Sequence, residues 1–273
     1  MKITATEVND LRKSTGAGMM DCKKALVEAN GDHEKAVEIL RKKGQKVAAN
    51  RAERDSSEGI VLLKVNEDKS EGVILSLNCE TDFVAKNNDF LNFANEILDI
   101  AENVNTIEDL LNSKVGELSL SDKLIEQTGI IGEKIEIGNF QKLSGNYIGG
   151  YVHAGNKIAA MVALSNSTQI SQEISKNIAM QVAAMNPLAL NENSVDASIV
   201  EKETEIIKEQ LIKEGRPENI IENIITGKLK RFYKDNTLVN QSYIKDSKIS
   251  VEDYVKSMDK NLSITSFVRV SLV

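Results

Sequence analysis

The segment Ile60–Leu98, IVLLKVNEDKSEGVILSLNCETDFVAKNNDFLNFANEIL, decides how the rest of the chain is read. Two runs rich in β-branched residues and leucine, Ile60–Val65 and Gly72–Asn78, flank the polar turn NEDKSEG and predict a hairpin. The apolar period then changes. From about Asp89 to Ala101, Phe90, Phe93, Ala94, Ile97 and Leu98 recur at helical spacing and give one helix an apolar face. Strand, strand and helix in that order, each with one side to bury, point to an α+β fold.

Toward the C-terminus the same order returns. Tyr147–His153 and Lys157–Ser165 read as a second hairpin, turning at Ala154-Gly155-Asn156, with a helix from about Gln172 to Met185 behind it. The two strand–strand–helix units suggest an internal duplication, visible in architecture more than in letters. Residues 194–236 depart from that pattern. Ser194 is suited to cap a helix in which Val200, Thr204, Ile207 and Leu211 recur at alternating four- and three-residue steps. Gly215-Arg216-Pro217 breaks it, Pro217 suiting the first turn of a second helix that carries Ile221, Ile225 and Phe232, with Ile220, Ile224 and Leu229 beside them. The pair reads as an antiparallel helical hairpin inserted in the second unit. SITSFVRVSL, Ser263–Leu272, reads as a closing strand with Ile264, Val268 and Val270 facing inward.

Toward the N-terminus, three short helices are expected. Thr4 with Glu7 three residues on is a capping-box signature ahead of Val8 and Leu11. Gly16 and Gly18 stop that helix. A second runs from about Met19 to Asn30 with Cys22, Ala25, Leu26 and Ala29 on one face, and ends at Gly31. Asp32 caps a third, carrying Ala36, Val37 and Leu40, which Gly44 is expected to close before the charged connector QKVAANRAERDSSEG. The domains predicted are therefore residues 1–54, a three-helix module and linker; 55–145, one half of the core; and 146–273, the other half, with the helical hairpin at about 194–236.

Bulk properties narrow the function. The 273 residues are 41% hydrophobic and 27% charged, an ordinary globular balance. A formal charge of -7 speaks against a general grip on nucleic acid, and 4% aromatics with no stacking cluster against single-stranded RNA. The basic stretch Arg41, Lys42, Lys43, Lys46, Arg51 and Arg54 reads first as a solvated helix face. Two distant cysteines, Cys22 and Cys79, and two histidines supply neither a disulfide framework nor a zinc site. MKITATEVNDLRKSTG has no signal-peptide core, and the longest apolar run, Ile158–Leu164, is too short to span a membrane. A reduced, cytoplasmic location follows as an expectation, with no cofactor and no bound metal.

A search for catalytic chemistry returns little. There is no GxxxxGK[ST] phosphate loop and no GxSxG elbow. GAGMMD, from Gly16, has two of the three glycines of a dinucleotide fingerprint but no strand before it, so it reads as a turn between helices. Cys22, on an apolar face, reads as a buried structural thiol, and His153, at a strand end, as a hydrogen-bonding residue. CETDFVAKN, Cys79–Asn87, leaves a buried strand and admits two readings. In one, Thr81 or Asp82 caps a helix and Phe83 packs on the core. In the other, Phe83 projects as a wedge beside a carboxylate, ready for a partner. Glu80 and Asp82 as an enzymatic carboxylate pair, and a three-helix adaptor binding a helical target, are the competing functions.

Four stretches carry a family resemblance. LRKSTGAGMMDCKKALVEANGDHEKAVEILRKKG (Leu11–Gly44), CETDFVAKN (Cys79–Asn87), IGEKI (Ile131–Ile135) and YVHAGNKIAAMV (Tyr151–Val162) resemble, in order, the motifs of the elongation factor Ts family. The resemblance implies a non-enzymatic guanine-nucleotide exchange factor of translation elongation, with elongation factor Tu, GDP-bound or nucleotide-free, as its partner and no direct contact with nucleic acid or membrane. It implies that the first three helices have the ubiquitin-associated type of fold and that Thr81, Asp82, Phe83 and Val84 dislocate the partner's Mg2+. Arg12, Met19 and Met20 match partner-contact positions, and two adjacent methionines do not share one helix face. Ile131, Gly132 and His153 are carried over as secondary contacts. The helical hairpin matches the family's protruding coiled coil by position; whether it mediates self-association is left open by the sequence. Many members continue into a C-terminal helical module beyond the point where this sequence stops, a departure that puts partner affinity in doubt but not the exchange chemistry.

Overall fold

The computed structural model describes residues 3–272. It is a mixture of helices and largely antiparallel sheet, an α+β chain, and none of its helices is long and apolar enough to cross a membrane among the described residues. By internal packing it divides into two units: the first takes in everything to Leu62 with Leu75–Phe140, the second Leu63–Ile74 with Gln141–Ser271.

The first unit opens with α1 (Ala5–Thr15), α2 (Met19–Glu28) and α3 (His33–Arg51). Thr4 and Glu7 close the expected capping box on α1, and Asp32 accepts the Lys35 amide to start α3. Gly16, in the left-handed region at φ 70°, ends α1 by donating to the Arg12 carbonyl. Leu11, Cys22, Ala25, Leu26 and Ala36 are buried between the three helices.

Gly44 does not close α3. The helix continues to Arg51, so the first seven residues of the expected connector, Gln45–Arg51, are helical. The reason lies across the chain, in α7 (below): Gly44 and its α7 counterpart Gly129 bring the two helix backbones into contact, and tertiary packing overrides glycine's weak helix propensity.

Next in the chain comes a hairpin of β1 (Glu58–Val65) and β2 (Glu71–Cys79), of which Leu63–Ile74 belongs to the second unit, then one helical turn, α4 (Asp82–Ala85), and α5 (Asn88–Ala101), whose expected apolar face is buried. Elements not expected from the sequence come next: α6 (Ile107–Asn112), the small ladder of β3 (Lys114–Val115) and β4 (Leu118–Ser119), α7 (Leu120–Ile131) and β5 (Glu136–Ser144). β5 is mostly half-buried and carries polar residues throughout, which leaves little period-2 signal. The sheet order is β1-β2-β5.

In the second unit β6 (Tyr147–Val152) and β7 (Ile158–Leu164) form an antiparallel hairpin with Asn156 and Gly155 at positive φ in its turn. The apolar run Ile158–Leu164 is the central strand, which explains its lack of alternation. β10 (Ile264–Ser271) pairs antiparallel on its other side, preceded in the chain by α8 (Ser171–Met185), α9 (Ala197–Lys213), α10 (Glu218–Asn236), the short β8 (Ser242–Tyr243) and β9 (Asp246–Ser250), and α11 (Val251–Met258). Of the inward trio expected on β10, Ile264 and Val270 are buried and Val268 is half-buried. A register shift between Ile264 and Ser266 breaks the alternation there.

Ile207, Leu211, Ile221 and Ile225 form the seam of α9 and α10. Two details differ from expectation. Asp196, not Ser194, caps α9; Ser194 closes a short 3-10 turn held by Asn191. Pro217 stands just before α10 rather than within its first turn, at φ -59°.

Candidate functional site

The chain leaves the sheet at Cys79, buried, and turns through Glu80 and Thr81 into α4. Thr81 is extended, φ -129°, and its hydroxyl accepts the Val84 N–H as an N-cap. Four residues make too short a helix to stand alone. Ala85 anchors it by burial, while Phe83 points away with 83% of its surface in water. Both sequence readings of the segment thus hold in part: Thr81 is a cap, and Phe83 does not pack on the core. Asp82 and Lys86 lie 2.6 Å apart across one helical turn, and the hydrogen bond and charge of Asp82 push the Lys86 ammonium up.

Glu133 holds this turn directly, and Lys134 and Arg51 hold it through Glu80. The Glu133 carboxylate accepts the Thr81 N–H at 3.0 Å with one oxygen and the Thr81 hydroxyl at 2.7 Å with the other. In the opposite direction the Glu80 carboxylate accepts the Lys134 N–H at 2.7 Å. Arg51, the last residue of α3, donates one nitrogen to both Glu80 oxygens at 2.7 and 2.8 Å. Burial pushes the Glu80 carboxyl up, but the Lys134 amide and the Arg51 guanidinium, with the charge of Arg54 behind them, outweigh it and hold it below the usual carboxylate range. The Cys79 thiol donates to the Thr81 carbonyl at 3.2 Å. The only sequence signal for Glu133 was its place inside IGEKI. Of the two carboxylates considered as an enzymatic pair, Glu80 is paired with Arg51 and Asp82 with Lys86.

The structure brings several of the named residues of the first unit to one place. A cavity of about 560 Å³ is lined by Gly16 from the end of α1, by Val84 and Phe90, and by Lys123, Ile130 and Ile131 of α7. Gly132 ends α7 at φ 81°, donating to the Thr128 carbonyl. Arg12 is exposed on α1, and Met19 and Met20, at the start of α2, are 58% and 62% exposed. His153 belongs to the second unit, exposed at the end of β6, its Nδ1 2.9 Å from the Tyr151 hydroxyl. Among the described residues no group of three or more His, Cys, Asp or Glu could hold a metal ion.

Comparison with known proteins agrees with the family resemblance of the sequence. Residues 80–273 match the family described as Elongation factor TS. Elongation factor Ts of Christiangramia forsetii is 59% identical over 271 residues, covering 99% of both chains. The chain belongs to the elongation factor Ts family. Elongation factor Ts of Flavobacterium psychrophilum is 57% identical over 270 residues, covering 99% of this chain and 98% of its own. Elongation factor Ts of Amoebophilus asiaticus is 45% identical over 273 residues, covering 99% of both. The family match starts at Glu80, the residue that Arg51 holds, and so takes in the whole TDFV turn and its Glu133 support.

Proposed function

We propose that this chain is a guanine-nucleotide exchange factor for elongation factor Tu. It binds the GDP-bound form, displaces the Mg2+ of the nucleotide site and stays on the nucleotide-free form until GTP enters. No bond is made or broken; one ligand weakens another, and reciprocally. The Asp82–Phe83 pair enters the nucleotide-binding domain of the partner, with Thr81 and Val84 carrying it. The first three helices, of the ubiquitin-associated type, dock on the same domain through Arg12, Met19 and Met20, while Ile131, Gly132 and His153 make further contacts. The core is an internal duplication, each half a hairpin and helix closed by a later strand. The observation that carries this reading is the exposure of Phe83 on a turn fixed from beneath.

Magnitudes divide the work. Speeding GDP release thousandfold lowers the barrier by about 4 kcal/mol, at about 1.4 kcal/mol per tenfold. Burying one phenylalanine contributes about 1.5–3 kcal/mol, so the wider interface supplies the remainder. The test is loss of labelled GDP from purified elongation factor Tu with this chain at catalytic amounts. Turnover of many partner molecules per chain is the expected result; release no faster than from the partner alone would end the proposal.

A further inference from the structure

We propose that Glu133 is a positioning residue for nucleotide exchange: its carboxylate holds Thr81, and through Thr81 sets the direction in which Phe83 projects. This rests on Phe83 being the partner-facing group.

The geometry is reciprocal. Glu133 accepts the backbone and hydroxyl of Thr81, and one residue further Lys134 gives its own amide to Glu80. Two carboxylates, each reaching the opposite segment's backbone, join residues 79–81 to residues 133–134 where no strand pairing does so. Thr81 is the hinge of that join. Its hydroxyl donates to Glu133 while accepting the Val84 N–H at 3.4 Å, a long bond for a cap. Without Glu133 the hydroxyl is free to rotate and the amide loses its acceptor, which leaves the single helical turn to the burial of Ala85 and the Cys79 thiol. Phe83 is two residues beyond, with no packing of its own to correct its direction. A side chain displaced by about 1 Å loses much of an effect that depends on exact placement, so the support of the turn acts on the release rate more than on affinity.

Release of labelled GDP from purified elongation factor Tu is measured with the full chain and with Glu133→Ala, Glu133→Gln, Phe83→Ala and the double variant Phe83→Ala/Glu133→Ala. Glu133→Ala is expected to lower the maximal release rate about tenfold while the half-saturating concentration changes less than about twofold. Glutamine keeps one acceptor for the Thr81 amide, so Glu133→Gln falls between wild type and alanine. In the Phe83→Ala background, removing Glu133 adds less than about twofold, because the group it aims is gone. Equal factors in both backgrounds, or glutamine no better than alanine, would show a merely structural role and overturn the proposal, as would an unchanged rate. Hydrogen exchange gives an arm independent of activity: amides of residues 81–85 exchange faster in Glu133→Ala while those of α5 do not, and unchanged protection of the turn also overturns it. Should Glu133→Ala fail to fold, Thr81→Val removes the hydroxyl contact from the other side and is expected to slow release several-fold, its wild-type rate counting against the proposal. A wild-type chain that leaves GDP release unaltered overturns the exchange reading and this proposal with it. Wild-type exchange slowed by Phe83→Ala but untouched by Glu133→Ala overturns this proposal alone.

Discussion

Gly44 of α3 and Gly129 of α7 face one another backbone to backbone, so closely that a methyl group built on Gly129 would overlap the Gly44 Cα, whereas one built on Gly44 meets the Gly129 Cα at 3.6 Å. The contact is asymmetric, and so is its expected response to mutation. Gly129→Ala forces two helix backbones apart and should destabilise the chain by about 1–3 kcal/mol. Gly44→Ala makes ordinary contact and gains helix propensity, so it should be neutral or stabilising by up to about 1 kcal/mol. Thermal unfolding of the two variants side by side checks the pair; equal losses would contradict the crossing geometry.

Phe83 separates stability from function. With most of its ring in water, Phe83→Ala should leave unfolding free energy within about 0.5 kcal/mol of wild type. Loss of about 1.5–3 kcal/mol of burial against the partner should slow GDP release by roughly ten- to a hundredfold, without abolishing it. Stopped-flow release rates at saturating chain decide the matter, and wild-type rates would remove Phe83 from the mechanism.

Met19 and Met20 should behave differently from Phe83. Both are exposed at the start of α2, so replacing the pair with alanine should not change folding by more than about 0.5 kcal/mol. If their contact is made equally before and during release, the half-saturating concentration rises by roughly tenfold or more while the maximal rate is retained. A titration of release rate against chain concentration reads both quantities at once.

Glu80 makes stability depend on acid. Its folded-state carboxyl is held below the ordinary value of 4.5 despite partial burial, by the Lys134 amide and by Arg51. A depressed carboxyl contributes stability that is fully present above its unfolded pKa and is lost as pH falls through the lower, folded one. Glu80→Gln should therefore be less stable than wild type at neutral pH, with the gap closing as pH falls below about 4.5. Chemical denaturation at several pH values tests this; a gap constant with pH would mean the lost contact is not ionic.

Much of the fold was legible because the residues near the two hairpins obey simple periods. Phe90, Phe93, Ala94, Ile97 and Leu98 line one face of α5 as their spacing demands, and Thr4, Glu7 and Asp32 cap as their chemistry demands. The reading failed where a distant partner decides. Gly44 carries the local mark of a helix end, but its role is set by Gly129, far along the chain. β5 pairs with β2 while presenting no apolar alternation of its own. The site divides the same way. The methionines and Phe83 were named through the family resemblance, since local chemistry left Phe83 between core and surface, whereas Arg51 and Glu133 act across gaps of 29 and 52 residues, which no local pattern records.

An aromatic ring left standing in water is ordinarily an invitation to clump. Here the ion pair of Asp82 and Lys86 flanks it on the same turn. Two such tips brought ring to ring would also bring two ion pairs together, and removing water from charged groups opposes that contact. The exposed ring therefore stands beside a pair of charges, and any surface that covers it has to accommodate them as well.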